Sequence, residues 1–170
     1  MKLRDLVRCG ICTALMAVSA WLSVPVGEIS FTFQSFALFL TLYLLGGGKG
    51  TAAFGAYLLL GAVGVPVFSG FQGGFGVLLG PTGGYLWGFL LGCFCFWLPE
   101  KRLPRWVLLV GCQLLCYLCG SLWYGLVYTG GGLWAVVLKC VVPYLLPDGL
   151  KLMLALAVSK RLKNIVSYTP

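Results

Sequence analysis

Asp148 and Lys151 are an acid and a base three positions apart inside a stretch of chain that is otherwise almost wholly apolar. At i, i+3 they share one face of a helix. A charge near the centre of a membrane helix costs at least about 2.5–3.5 kcal/mol, so such residues are rare, paired, and mark solute sites or proton relays. The plainer alternative is a mutually neutralising pair that only ties helices together. Pro143 and Pro147 precede the pair, and each removes a backbone donor. The spacing predicts a break there, with Pro147-Asp148 opening a new half-helix whose free N–H groups aim at the same spot. A pair beside a helix break is more expensive than packing needs, which favours function. Lys139, nearer the outer surface, is expected to snorkel.

Other chemistry is excluded by what is missing. Eight cysteines lie in apolar stretches and the chain has no histidine. Cys112, Cys116 and Cys119 share a helical face, but no acid lies nearby in sequence to complete a metal site, so they read as small packing residues and no metal is expected. Gly46-Gly47-Gly48-Lys49-Gly50-Thr51 resembles part of a phosphate loop. That loop needs Ser or Thr directly after the lysine and a further glycine five residues before the last one; Gly50 and Tyr43 stand there instead. The segment reads as a turn, with no site for ATP. Asp148-Gly149 resembles the opening of a phosphatidyltransferase motif, but no further acids follow to hold a metal.

The elements that must carry these residues follow from composition. Sixty per cent of the 170 residues are apolar and 9% are charged. A soluble domain has about 25% charged residues, so the solvent for most of this chain is lipid. One domain over 1–170 is expected. A membrane crossing takes about 20 helical residues. Apolar stretches run over Leu6–Val26, Ile29–Leu45, Gly50–Phe68, Gly84–Leu98, Trp106–Tyr128 and Leu133–Val158. The expectation is an all-α integral membrane protein of six transmembrane helices.

Charge sets its direction. Lys2, Arg4 and Arg8 precede the first stretch, Lys49 follows the second, Lys101, Arg102 and Arg105 follow the fourth, and Lys160, Arg161 and Lys163 follow the sixth. If the stretches alternate, these ten of the twelve basic residues lie on one side, and the opposite loops carry only Glu28. Lys and Arg collect on the cytoplasmic side, so both termini are expected inside. The net charge of +8 is thus loop asymmetry, and no nucleic-acid partner is expected.

The outer loop between the third and fourth spans is unusual. Ser69–Gly84 has seven glycines, no charge and an apolar Val77-Leu78-Leu79 run. A structureless connector of that length is uncommon, and long loops are often lids or binding loops. An ordered, glycine-rich loop is expected. Gly84, Gly88 and Gly92 recur every four residues and suggest close helix packing. Gln72, Thr82 and Tyr85 supply the polar groups here, and Gln34 is the polar residue buried in the second span.

Several of these segments resemble a known family. Phe31-Thr32-Phe33-Gln34, Gly64-Val65-Pro66-Val67-Phe68, Gly73-Gly74, Gly80-Pro81-Thr82-Gly83-Gly84-Tyr85-Leu86 and Pro143 followed by Asp148-x-x-Lys151 are similar, in order and spacing, to the BioY family. These are the biotin-specific S components of energy-coupling-factor transporters. The resemblance implies a bacterial plasma-membrane subunit that captures biotin from outside at high affinity. It implies partners too: a transmembrane coupling subunit and two cytoplasmic ATPases. No resident cofactor and no enzymatic activity are implied. The binding acid and lysine map onto Asp148 and Lys151, with Gln34, Gln72, Thr82 and Tyr85 as further candidates. The lid maps onto Phe71, Gly73, Gly74, Gly80, Pro81, Gly83 and Gly84. S components often carry Ala-x-x-x-Ala in the first helix for docking on the coupling subunit; the nearest small pairs here are Gly10/Ala14 and Thr13/Ala17. Biotin's ureido ring offers two N–H donors and a carbonyl, groups that an ionised Asp148 and a Lys151 ammonium can bind with charge-assisted hydrogen bonds. The competing readings are a self-sufficient secondary transporter with Asp148 as its proton relay, and an S component for another vitamin.

Overall fold

The computed structural model describes residues 2–26, 29–97, 103–129 and 133–167. Glu28, Leu98, Lys101 and Arg102 of the charge and span argument lie outside them. The described chain is mostly helical, with one two-stranded hairpin. Three of its helical segments, Gln34–Ala62, Arg105–Thr129 and Val142–Lys163, are long and apolar enough to cross a membrane, and Gly83–Cys95 is a shorter apolar helix.

Helix α1 (Leu3–Trp21) turns Cys9, Thr13, Met16, Ala17 and Ala20 inward. These positions recur at the three- and four-residue steps of one helix face. They pack on α2 (Gln34–Ala62), where the Thr13 hydroxyl donates to the Ala53 carbonyl at 3.0 Å. The first apolar stretch does not stay helical to Val26. Pro25 disfavours helix in the residue before it, and the chain instead forms β1 (Ser23–Val26), antiparallel to β2 (Ile29–Thr32), with Ser23 opposite Thr32 and Val24 opposite Phe31. The start of the second stretch is therefore strand, and its helix begins only at Gln34.

Within α2 the chain doubles back. Gly46 holds φ at +75°, a conformation that favours glycine. Positions eight apart in a straight helix would be about 12 Å apart. Here a Cβ on Gly50 would lie 3.3 Å from the Leu42 Cα. The expected turn is thus present, between arms over 34–45 and 47–62. The arms carry the centre of the core, with Phe39, Phe54 and Tyr57 fully buried and Phe39 and Phe54 both packing edge-on against Phe89.

After Ala62 the segment 63–82 contains a 3-10 turn (Ser69–Phe71) and the short α3 (Phe75–Leu79). It is pinned to the helices by backbone and aromatic donors. The Gly74 amide donates to the Gly61 carbonyl at 2.7 Å. The Trp87 indole donates to the Leu78 carbonyl (3.2 Å), the Tyr128 hydroxyl to that of Leu79 (2.7 Å), and the Trp123 indole to that of Gly80 (3.1 Å).

Helices α4 (Gly83–Cys95) and α5 (Arg105–Tyr124) form the tightest pair. Gly84, Gly88 and Gly92 face Trp123, Cys116 and Cys112, and none leaves space for a Cβ. This is the close approach expected of the four-residue glycine repeat, and the cysteines of α5 are the small surface that meets it. A π turn (Gly125–Thr129) extends α5.

The last apolar stretch is two helices, α6 (Leu133–Cys140) and α7 (Val142–Ser167). A break is present but not where expected. It falls before Pro143, which occupies the first turn of α7, where a missing N–H is not needed. Pro147 lies inside α7. Asp148 and Lys151 are therefore mid-helix, and the expected half-helix N-terminus pointing at them is absent.

Candidate functional site

The i, i+3 spacing does bring the Asp148 and Lys151 side chains together: the ammonium is 2.7 Å from Asp148 Oδ1, and both residues are buried, at 9% and 4% exposure. Two side chains of α5 bind the other carboxylate oxygen. Gln113 Nε2 donates to Asp148 Oδ2 at 3.0 Å and the Tyr117 hydroxyl donates to it at 2.7 Å. Lys151 is held as fully. Its ammonium donates to the Thr32 carbonyl at 2.6 Å and lies 3.7 Å from the centroid of the Phe31 ring, a cation–π contact. The charged pair is thus the junction of three elements: α7 carries it, α5 orients the acid, and the β2 strand caps the base.

The pair forms one wall of a cavity of about 310 Å³, within the roughly 300–1,000 Å³ of small-molecule sites. The hairpin contributes Ser23, Ser30, Phe31 and Thr32, and α2 contributes Gln34 and Ser35. Phe68, Val77, Leu86 and Phe89 supply apolar surface, and Tyr144 lies on the α7 side. Four polar atoms of lining residues are buried without a hydrogen-bond partner among the described residues: Gln34 Nε2, Ser35 Oγ, the Tyr85 hydroxyl and Gln113 Oε1. Buried polar groups are nearly always paired, so four orphans around one cavity, from α2, α4 and α5, fit a site for a polar guest. A carboxylate has about four lone-pair sites. Lys151, Gln113 and Tyr117 occupy three, which leaves one at Oδ1.

All six sequence-chosen binding residues, Gln34, Gln72, Thr82, Tyr85, Asp148 and Lys151, line this cavity. The loop residues divide. Gly70 and Gln72 reach the cavity, whereas Phe71, Gly73, Gly74, Gly80, Pro81, Gly83 and Gly84 are not among its lining. Their part is to shape the backbone. Gly74 has φ +101°, and a Cβ on Gly73 would press on the Val65 carbonyl oxygen. Phe71 is exposed and stacks on Trp21, ring centroids 5.0 Å apart. Gln113 and Tyr117 were not singled out from sequence. They had a signal: Gln113 is an amide in an apolar helix, as Gln34 is, with Tyr117 one turn on.

The docking candidates separate as well. Thr13 and Ala17 are buried against α2 and serve packing within the chain, which removes that pair from the outer face. Gly10 and Ala14 remain exposed.

Over 96% of its length the chain superimposes on 92% of a crystal structure of the S-component for biotin from an ECF-type ABC transporter, with a TM-score of 0.86. At 24% identity that match establishes a common fold. The BioY family model matches residues 1–168. The biotin transporter BioY of Thermotoga maritima is 41% identical over 165 residues, covering 96% of this chain and 98% of that one. The probable biotin transporter BioY of Pyrococcus horikoshii is 35% identical over 164 residues, 96% and 99% of the two chains. The chain belongs to the BioY family.

Proposed function

We propose that this chain is the biotin-binding S component of an ECF-type vitamin transporter, capturing biotin in the cavity walled by Asp148 and Lys151. The observation that carries the reading is that buried ion pair, positioned by Gln113, Tyr117 and Thr32 in a cavity with four orphaned polar atoms. The pattern suits a ureido ring. The open lone pair of Asp148 and Gln113 Oε1 accept its two N–H groups, and Gln34 Nε2 donates to its carbonyl. Phe68, Leu86 and Phe89 cover the thiolane ring. Gln72, Thr82 and Tyr85, which also line the cavity, meet the valerate tail, and the glycine-rich loop is the lid. Lys151 pairs with the acid at 2.7 Å.

The chain forms one six-span transmembrane domain with both ends in the cytoplasm. Support for that topology comes from how the basic residues gather. Lys49 is paired with Asp5 of α1 at 2.7 Å. Arg105 donates to the Tyr43 carbonyl and stacks over that ring, and Lys160 and Lys163 share a cleft with Arg105. One end of the molecule thus collects the positive charge, as the cytoplasmic end of a membrane protein does.

Energy comes from elsewhere. Binding shifts a protein between states only by differential affinity and cannot by itself concentrate a solute. Among the described residues both acids are paired, Asp5 with Lys49 and Asp148 with Lys151, which leaves no lone acid there to relay a proton. A transmembrane coupling subunit with two ATPases supplies the drive, docked on the exposed α1 face around Gly10 and Ala14. In proteoliposomes the chain alone is expected to bind biotin but neither to hydrolyse ATP nor to accumulate the vitamin. Adding the coupling module should give accumulation, and Ala14→Trp should block it while leaving binding intact. Uphill uptake by the isolated chain would overturn this reading and favour a secondary transporter.

A further inference from the structure

The segment 63–82 gives Phe68, Ser69, Gly70 and Gln72 to the cavity lining, and its roots and its tip are held by different elements. The core fixes the roots: the Tyr57 hydroxyl donates to the Val67 carbonyl at 3.0 Å, and the Gly74 amide donates to the Gly61 carbonyl at 2.7 Å. Between them the Phe68 amide donates to the Gln72 carbonyl at 2.9 Å and closes a turn whose tip is Gly70-Phe71. That tip reaches α1. The Trp21 indole N–H donates to the Pro66 carbonyl at 2.8 Å, and the Trp21 ring stacks on Phe71, with planes 27° apart. We propose that Trp21 is a positioning residue for binding: it latches the loop tip and so sets how slowly a bound guest leaves. The proposal rests on the reading of this loop as the lid and of biotin as the guest.

The backbone singles out this contact. Phe71 has φ +58° and is the one non-glycine residue in the left-handed region among those described. That region is crowded for any residue with a Cβ, and such a conformation persists only where the surroundings over-determine it. Phe71 is 64% exposed, so burial in the core does not hold it; the stack on Trp21 and the turn around it do. Its chain neighbours Gly70 and Gln72 line the cavity, so what fixes Phe71 also fixes them.

Trp21 also stands where the hairpin begins. It is the last residue of α1; the next residue, Leu22, accepts from the Phe33 amide at 3.2 Å, and β1 starts at Ser23. Ser23, Phe31 and Thr32 of the hairpin line the same cavity. One indole thus braces the loop against the base of the hairpin. A tryptophan at the end of a membrane helix ordinarily serves as an anchor in the headgroup region. This one has its N–H and a ring face committed to the loop.

The test measures rates on the purified full chain in detergent, with bound labelled biotin chased by excess unlabelled biotin. Trp21→Ala loses one hydrogen bond and one aromatic pair and should release biotin about tenfold faster. Association should not slow, because a looser lid opens more readily. Trp21→Phe keeps a ring and should restore part of the slow release. Phe71→Gly probes the same contact without touching α1. Glycine suits φ +58° better than phenylalanine does, so a purely local role predicts unchanged or slower release, and a latch predicts faster release. Hydrogen exchange of the amides over 66–74, followed without biotin, gives a readout independent of the guest. It should quicken about tenfold in Trp21→Ala and in Phe71→Gly. Unchanged release in both variants, or slower association with fewer binding-competent molecules, would overturn the proposal. If wild type fails to bind biotin, the reading of the cavity falls, and the exchange rates alone decide: unchanged exchange in both variants overturns the latch.

Discussion

Lys151 is held by the Asp148 carboxylate on its own helix and by the Thr32 carbonyl and Phe31 ring of β2. Removing the lysine therefore strands an acid in a buried place, and removing the acid strands the lysine. Breaking a buried pair from one side costs about 3–5 kcal/mol, more than a hundredfold in affinity if expressed in binding. Asp148→Asn and Lys151→Met are each expected to weaken biotin binding by that factor, measured by titration of folded protein. Tyr117→Phe removes one charge-assisted hydrogen bond, worth about 1.5–3 kcal/mol, and should cost roughly ten- to a hundredfold in the same titration. Unchanged affinity in Tyr117→Phe would mean that α5 does not position the acid. Asp148 and Lys151 were legible in the sequence because a charge among apolar residues stands out. Tyr117 was not, because an amphipathic aromatic in a membrane helix is ordinary until its hydroxyl is seen to meet a carboxylate.

Helix positions were legible where hydrophobicity alone decides them and illegible where backbone conformation does. The Gly46 turn and the glycine face of α4 follow from composition. The β1–β2 hairpin does not, because Val24 and Phe31 are as apolar as the helix residues around them, and only β pairing tells strand from span. With two prolines available, the break before α7 formed at the one that loses no helical hydrogen bond, Pro143, and Pro147 was absorbed into the helix. Such interior prolines are tolerated in membrane helices when neighbouring groups satisfy the freed carbonyl. The α4–α5 seam makes a definite prediction. A Cβ on Gly88 would lie 2.8 Å from the Cys116 Cα, so Gly88→Ala must push two backbones apart, whereas a Cβ on Gly55 meets nothing within 4 Å. Gly88→Ala should destabilise by about 1–3 kcal/mol and lower the melting midpoint in detergent. Gly55→Ala should leave it unchanged or raise it slightly. Equal midpoints would show that the seam is looser than the structure has it.

At the scale of the molecule, the central cavity is lined by α2 to α7 and by the hairpin, and Arg105, Lys160 and Lys163 meet at a separate cleft. The proposed orientation rests on that same gathering of basic residues. Reporter fusions after Lys163 should therefore read cytoplasmic and fusions at Thr129 external; an external reading at Lys163 would sink the six-span topology. Function was legible because family-specific segments, Gly80-Pro81-Thr82-Gly83-Gly84-Tyr85 above all, fall where the fold needs them, at the junction of the loop and α4. The apolar cover of the ligand was not, since any of the chain's many aromatic residues could have faced inward. The sharpest test is an equilibrium titration of the purified chain, without any partner, against biotin, riboflavin, thiamine and folate in turn. Saturable one-to-one binding of biotin alone is expected, and it should fall more than a hundredfold in both Asp148→Asn and Lys151→Met. Preference for another of these vitamins, or biotin affinity within a few-fold of wild type in both folded variants, would contradict it.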